Sequence, residues 1–87
     1  MIDDQYSPNG EERREMNITD SLSFGKAIRA RRKKLGYTQA FLSEFTGLSV
    51  SFLSDLENGK RTIELGKAIE VALMLGLDLK LEGRGEE

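Results

Sequence analysis

Glycine sets the segment lengths of this chain. Gly36, Gly47, Gly59 and Gly76 each follow a short stretch with apolar residues at helical spacing, and a glycine in that position ends a helix. The chain is therefore expected to form four short helices instead of one long one. The first starts at Asp20 or Ser21, either of which can cap free backbone N–H groups. It carries Phe24, Ile28 and Leu35 on one apolar stripe, and Arg32 lies on the same stripe, four residues after Ile28. Thr38 caps the second helix, which holds Phe41, Leu42 and Phe45. Ser49 caps the third, with Leu53 and Leu56 inward and Asn58-Gly59 at its end. Thr62 is expected to cap the fourth, with Leu65, Ile69, Ala72 and Leu73 as its apolar face. Gly66, inside that helix, costs about 1 kcal/mol relative to alanine.

After Gly76 the period changes. Leu77-Asp78-Leu79-Lys80-Leu81-Glu82 alternates apolar and polar residues, the pattern of a half-buried β-strand. A lone strand cannot pair its own N–H and C=O groups. Its simplest partner is the same strand of a second copy related by a two-fold axis, with Leu77, Leu79 and Leu81 as an apolar seam. The alternative is an extended end lying along its own helices. The expected organisation is a disordered acidic tail over 1–20, a helical domain over 21–76, a dimerisation strand over 77–82 and a frayed end over 83–87. The fold class is all-α: four to five helices plus a short strand paired between subunits.

Composition narrows the chemistry. Eighty-seven residues leave no room for a second core. With no Cys and no His, disulfides, Cys/His zinc sites and triads built on those residues are excluded. No metal or cofactor is expected. The Ser, Glu and Asp residues form no nucleophile–base pair that can be placed in a pocket, so no enzyme is expected either. No apolar run approaches the roughly 18 residues of a membrane span, and no secretory segment follows the start; the reading is a soluble, cytoplasmic protein with no membrane partner. The net charge of −2 hides a segregation. Residues 1–21 carry −4, residues 22–62 carry +5 and residues 63–87 carry −3. A basic middle between acidic ends suits a polyanion-facing surface, although a lysine- and arginine-rich helix face can equally be just solvated.

The most specific signal is the spacing Thr38-Gln39-x-x-Leu42-x-x-x-x-Gly47-Leu48-Ser49-x-x-x-Leu53-x-x-Leu56-Glu57-Asn58-Gly59. It describes two short helices joined by a tight glycine-containing turn, a helix-turn-helix. With Ile28-Arg29-x-x-Arg32, Leu35-Gly36-Tyr37-Thr38-Gln39 and Leu75-Gly76, the chain resembles the Cro/phage-repressor class of helix-turn-helix proteins, known from Xre-type regulators, from about Phe24 to Leu77. The terminal Leu-x-Leu-x-Leu segment makes it look like the HipB-type antitoxins of that class.

The resemblance implies a mode of action. The second helix of the motif would enter the major groove of double-stranded DNA, N-terminal residues foremost, presenting Val50, Ser51, Ser54 and Asp55 to base edges. Thr38 and Gln39, at the start of the preceding helix, and Asn58, Lys60 and Arg61, just past the reading helix, would hold phosphates. Arg32 and Glu57 would form a structural salt bridge, which the place of Arg32 on an apolar stripe supports independently.

Several residues keep two readings. Val50 touches a thymine methyl or is simply exposed, and Ser51 and Ser54 contact bases or only solvent. Asp55 departs from the family's usual basic or amide residue; it accepts from a cytosine amino group or repels phosphate and sets register. Phe52 departs from the usual small polar residue; it packs on the DNA backbone side or serves as an extra core residue. Lys33 and Lys34 are expected to be solvated. The resemblance further implies a homodimer on an inverted-repeat operator, a nucleoid-associated location in a bacterium, autorepression of a toxin–antitoxin operon and a HipA-type kinase toxin as partner. The alternatives are a free-standing phage-like repressor or restriction–modification controller, and an interaction module that no longer binds DNA.

Overall fold

The computed structural model of the chain describes residues 16–85. Most of the acidic tail, residues 1–15, and the last two residues lie outside the described residues. Four helices follow one another: α1 (Ser21–Lys34), α2 (Gln39–Thr46), α3 (Val50–Glu57) and α4 (Leu65–Met74).

The first three helices begin where capping chemistry places them. Asp20 accepts from the Ser23 N–H at 2.8 Å, and the Ser23 hydroxyl accepts from the Asp20 N–H at 3.1 Å, closing a reciprocal box. Thr38 accepts from Phe41 N–H and Ser49 from Phe52 N–H, each satisfying one orphan donor of a first turn. The fourth helix departs from expectation. Its cap is Glu64, whose carboxylate accepts from Lys67 N–H at 2.7 Å, and not Thr62. Thr62 is spent in the turn that follows α3, where Ile63 N–H reaches back to Lys60 C=O and Ile63 packs on the core. Gly66 accordingly falls in the first turn of α4, not in its interior.

The core is one cluster: Ile28 from α1, Leu42 from α2, Leu53 and Leu56 from α3, and Ala68, Val71, Ala72 and Leu75 from α4 and its end. Phe24, Tyr37, Leu48, Phe52 and Leu77 pack around it. The buried face of α4 is thus Ala68, Val71 and Ala72, whereas Leu65 and Leu73 are exposed. The helix carries two apolar stripes, and the one with small alanines faces the core. The larger stripe faces out. Within α2 only Leu42 is buried; Phe41 and Phe45 are exposed and stack on each other with centroids 6.1 Å apart.

Two contacts place α1 against the others. Gly25 lies so close to the end of α3 that a Cβ there would stand 2.8 Å from the Glu57 carbonyl oxygen, so only glycine permits the approach. At its other end, Arg31 donates from Nε to the Leu75 carbonyl at 2.7 Å, satisfying an orphan acceptor at the end of α4. Among the described residues there is no strand: residues 77–82 form no ladder within the chain. Leu77 is half-buried, while Leu79 and Leu81 are exposed.

Candidate nucleic-acid interface

The candidate interface is built on the turn between α2 and α3. Gly47 takes φ +81°, a conformation that disfavours any residue with a Cβ. Two hydroxyls stitch the turn. Ser43 donates to Leu48 C=O at 2.6 Å, and Thr46 accepts from Leu48 N–H at 3.1 Å while donating to Leu42 C=O. Sequence reasoning missed Ser43 and Thr46; their only signal was their position, one turn and one residue before the glycine.

A buried ion pair locks α3 at its far end. Arg32 donates from Nε to Glu57 Oε2 at 2.6 Å and from Nη2 to Glu57 Oε1 at 2.9 Å, and its Nη1 donates to Tyr37 C=O at 2.8 Å. Gln39 Nε2 adds a third bond to the carboxylate, 3.0 Å from Oε1. A carboxylate only accepts, so the Gln39 amide nitrogen must face it. Burial pushes the Glu57 carboxyl up, but the hydrogen bonds from Arg32 and Gln39 and the charges of Arg32 and Arg29 outweigh it and hold the group below its ordinary value. The hydrogen bonds to Glu57 likewise raise Arg32 against the opposing effect of burial. The expected Arg32–Glu57 pair is present, and it reaches further than expected: it also orients Gln39 at the start of α2. One amide hydrogen of Gln39 is thereby committed and one remains.

With its base fastened in this way, α3 turns Leu53 and Leu56 inward and leaves Val50, Ser51, Ser54 and Asp55 on its outer side, since residues four apart share a face. Val50 and Ser51 are exposed; Ser54 and Asp55 are half-buried. Asp55 is not free-standing: Lys60 Nζ lies 3.4 Å from its Oδ2, and Asn58 Nδ2 lies 3.4 Å from Ser54 Oγ. Three of the residues expected at phosphates, Asn58, Lys60 and Arg61, are exposed and follow α3 directly. Thr38 spends its oxygen as the α2 cap and keeps its O–H. Phe52 is half-buried against the core, in keeping with the core-residue alternative. Leu77, Leu79 and Leu81 stand apart from this group, in the C-terminal segment.

Among the described residues, no group of acidic side chains is arranged to hold a metal, and no helix is long and apolar enough to cross a membrane.

Known proteins agree with this architecture. The chain is 34% identical over 69 residues to the HTH-type transcriptional regulator y4mF of Sinorhizobium fredii, covering 79% of this chain and 91% of that protein. It is 47% identical over 38 residues to the HTH-type transcriptional regulator YazB of Bacillus subtilis, covering 44% of this chain and 55% of that one. Its fold matches two solved structures of HipB, one an O2 20mer complex of a variant HipB (TM-score 0.74, 23% identity, 80% of this chain and 97% of that one) and the other an O4 20mer complex (TM-score 0.72, 22% identity, 79% and 97%). The helix-turn-helix family HTH_3 matches residues 28–81, and with a match of that extent the chain belongs to this family.

Proposed function

We propose that this chain is a dimeric, sequence-specific DNA-binding repressor, with α3 in the major groove and Val50, Ser51, Ser54 and Asp55 as its base-reading face. The observation that carries the reading is the Arg32–Glu57–Gln39 network. It fastens the base of α3 to α1 and to the start of α2, so that one helix is presented outward while the residues flanking it, Thr38, Gln39, Asn58, Lys60 and Arg61, offer donors for phosphate. The two regulators with which it shares sequence support transcriptional control.

The dimer reading rests on the C-terminal segment. Leu79 and Leu81 are exposed large apolar side chains, and pairing with a second copy would remove them from water. Residues 77–82 become a strand when the same segment of a second copy supplies the missing ladder. The Leu-x-Leu-x-Leu alternation over 77–81 and the fold shared with HipB support the antitoxin reading: autorepression of an operon that also encodes a kinase toxin, the toxin being a second partner. A free-standing repressor differs only in lacking that partner, and the likeness to y4mF and YazB favours it equally.

Purification of the chain from its native operon tests both. The antitoxin reading expects a kinase to co-elute and the complex to retain DNA from the operon's own promoter; a chain that retains promoter DNA alone is a free-standing repressor. Failure to retain any DNA contradicts the repressor reading itself.

A further inference from the structure

Arg29 is exposed and makes no hydrogen bond or ion pair with another described residue. Its place is set by its neighbours on α1. Leu22 lies so close to Gly59 that a Cβ on that glycine would stand 2.7 Å from the Leu22 Cα. A Cβ on Gly25 would stand 2.8 Å from the Glu57 carbonyl oxygen. Arg32 grips the Glu57 carboxylate. This edge of α1 therefore runs along the end of α3, from the turn after α3 toward the start of α2. Arg29 follows Leu22 by seven residues and Gly25 by four, which puts it on the solvent side of the same edge. Its charge helps to hold the Glu57 carboxyl below its ordinary value. Gln39 reaches that carboxylate from α2, with Nε2 3.0 Å from Oε1, and is half-buried. Glu57 is thus the common neighbour of Arg29 and Gln39. The Arg32–Glu57 pair is neutral as a unit, so Arg29 leaves this point with one positive charge in excess.

We infer that Arg29 and the second amide N–H of Gln39 form one phosphate site, filled by the backbone of the duplex that α3 reads. The identity of the ligand rests on the repressor reading. The chemistry of the two donors suits a phosphate. Arg29 offers a planar fork of N–H groups that matches two phosphate oxygens and is weakly hydrated, so it gives up water readily. Gln39 offers a neutral donor whose direction is already set: one N–H is held by Glu57, and the other is turned away from it. Arg29 makes the site cationic. Without it a phosphate would meet a neutral amide beside a neutral ion pair. The place suits a phosphate as well. Asn58, Lys60 and Arg61 flank the end of α3 on one side, and the α1 edge joins that flank to Gln39. Arg29 makes the row of donors continuous between the two.

Uncharged methylphosphonates, placed one at a time in a duplex from the chain's own promoter region, locate the contact in the full-length protein. One position per bound chain should weaken the native protein but no longer matter to Arg29→Gln or to Gln39→Ala, while Lys60→Ala stays sensitive there. Sensitivity retained at every position in Arg29→Gln overturns the site. Sensitivity lost at different phosphates in Arg29→Gln and Gln39→Ala overturns the sharing of one phosphate. Salt dependence gives a second measure. Arg29→Gln should bind about fivefold more weakly at low salt and reduce the slope of log K against log salt by about one. Arg29→Lys, which keeps the charge, should restore most of that slope. Lys33→Gln removes the same charge one turn further along α1 and should leave the slope unchanged; an equal loss there means general attraction and overturns the contact. Circular dichroism of Arg29→Gln should match the native chain, since the side chain bonds no described residue. Native affinity in Arg29→Gln, with Lys60→Ala weakened, overturns this site and leaves the DNA reading standing. Absence of binding by the native chain at low salt overturns both.

Discussion

Arg32 of α1 and Glu57 of α3 meet through two parallel N–H···O contacts, 2.6 and 2.9 Å long, with both residues more than nine-tenths buried. A pair of this kind, fully hydrogen-bonded, fixes geometry more than it adds stability, because desolvation of two charges consumes much of their attraction. Its loss is asymmetric. Glu57→Ala leaves the Arg32 guanidinium buried without its partner and should destabilise the domain by about 3–5 kcal/mol. A double variant, Arg32→Met with Glu57→Leu, should recover much of that stability yet bind DNA poorly, because Gln39 then loses its anchor. Urea denaturation of the three proteins checks this; equal instability of the single and double variants contradicts it.

The same pair sets the acid limb of stability. The Glu57 carboxyl is held below its ordinary value in the folded chain, so its contribution is fully present above the unfolded value of ~4.3 and is lost as pH falls through the lower folded value. The Asp20 carboxyl is also lowered, chiefly by the backbone hydrogen bond from Ser23 and then by its side chain, and acts in the same direction. Thermal melting temperature should therefore be steady near neutrality and fall below about pH 4.3. Glu57→Gln should flatten part of that fall; an unchanged acid limb in this variant means that Glu57 is not its source.

Gly25→Ala should be more damaging than its size suggests. The added methyl meets backbone at the end of α3, with the Glu57 carbonyl 2.8 Å away, and backbone cannot rotate aside as a side chain does. Overpacking of this kind costs about 1–3 kcal/mol. Denaturant midpoints give the value, and wild-type stability in this variant contradicts the close crossing of α1 and α3.

The proposed dimer predicts a change of mass. Leu79→Glu with Leu81→Glu places charge on the exposed end of the chain and should convert a dimer into a folded monomer, detected by sedimentation equilibrium with helical content retained. An unchanged dimer places the interface elsewhere.

Base reading and phosphate holding should separate in binding profiles. Lys60→Ala should weaken binding and reduce the salt slope by about one, whereas Ser51→Ala and Asp55→Ala should change sequence preference. Asp55 is tethered by Lys60 at 3.4 Å, so part of the Lys60→Ala effect appears as altered behaviour of Asp55, and the pair should be non-additive. An unchanged preference in Asp55→Ala contradicts its reading role.

Much of this architecture was legible in the sequence because local chemistry dictates it. Asp20, Thr38 and Ser49 each precede an apolar run and each caps a helix. Arg32 on an apolar stripe announced a buried partner, and the resemblance to the Cro/phage-repressor class pointed to Glu57. What escaped depends on tertiary choice. Two apolar stripes on α4 made its buried face ambiguous from the sequence, and the shared core takes the one with the alanines. The Glu64 cap replaced Thr62 because Ile63 had first to reach the core. Ser43 and Thr46 read as ordinary polar residues, since a hydroxyl bond across a turn leaves no period. The alternation over 77–82 forms no ladder within the described residues.

The proposed function requires that α3 and its flanks bind duplex DNA. The most direct measurement is the affinity of the full chain for a duplex from its own promoter region as a function of salt. Log K should fall linearly with log salt, with a slope near −0.9 for each phosphate held, and Gln39→Ala and Lys60→Ala should both weaken binding. No binding at low salt, or an affinity indifferent to salt, contradicts it.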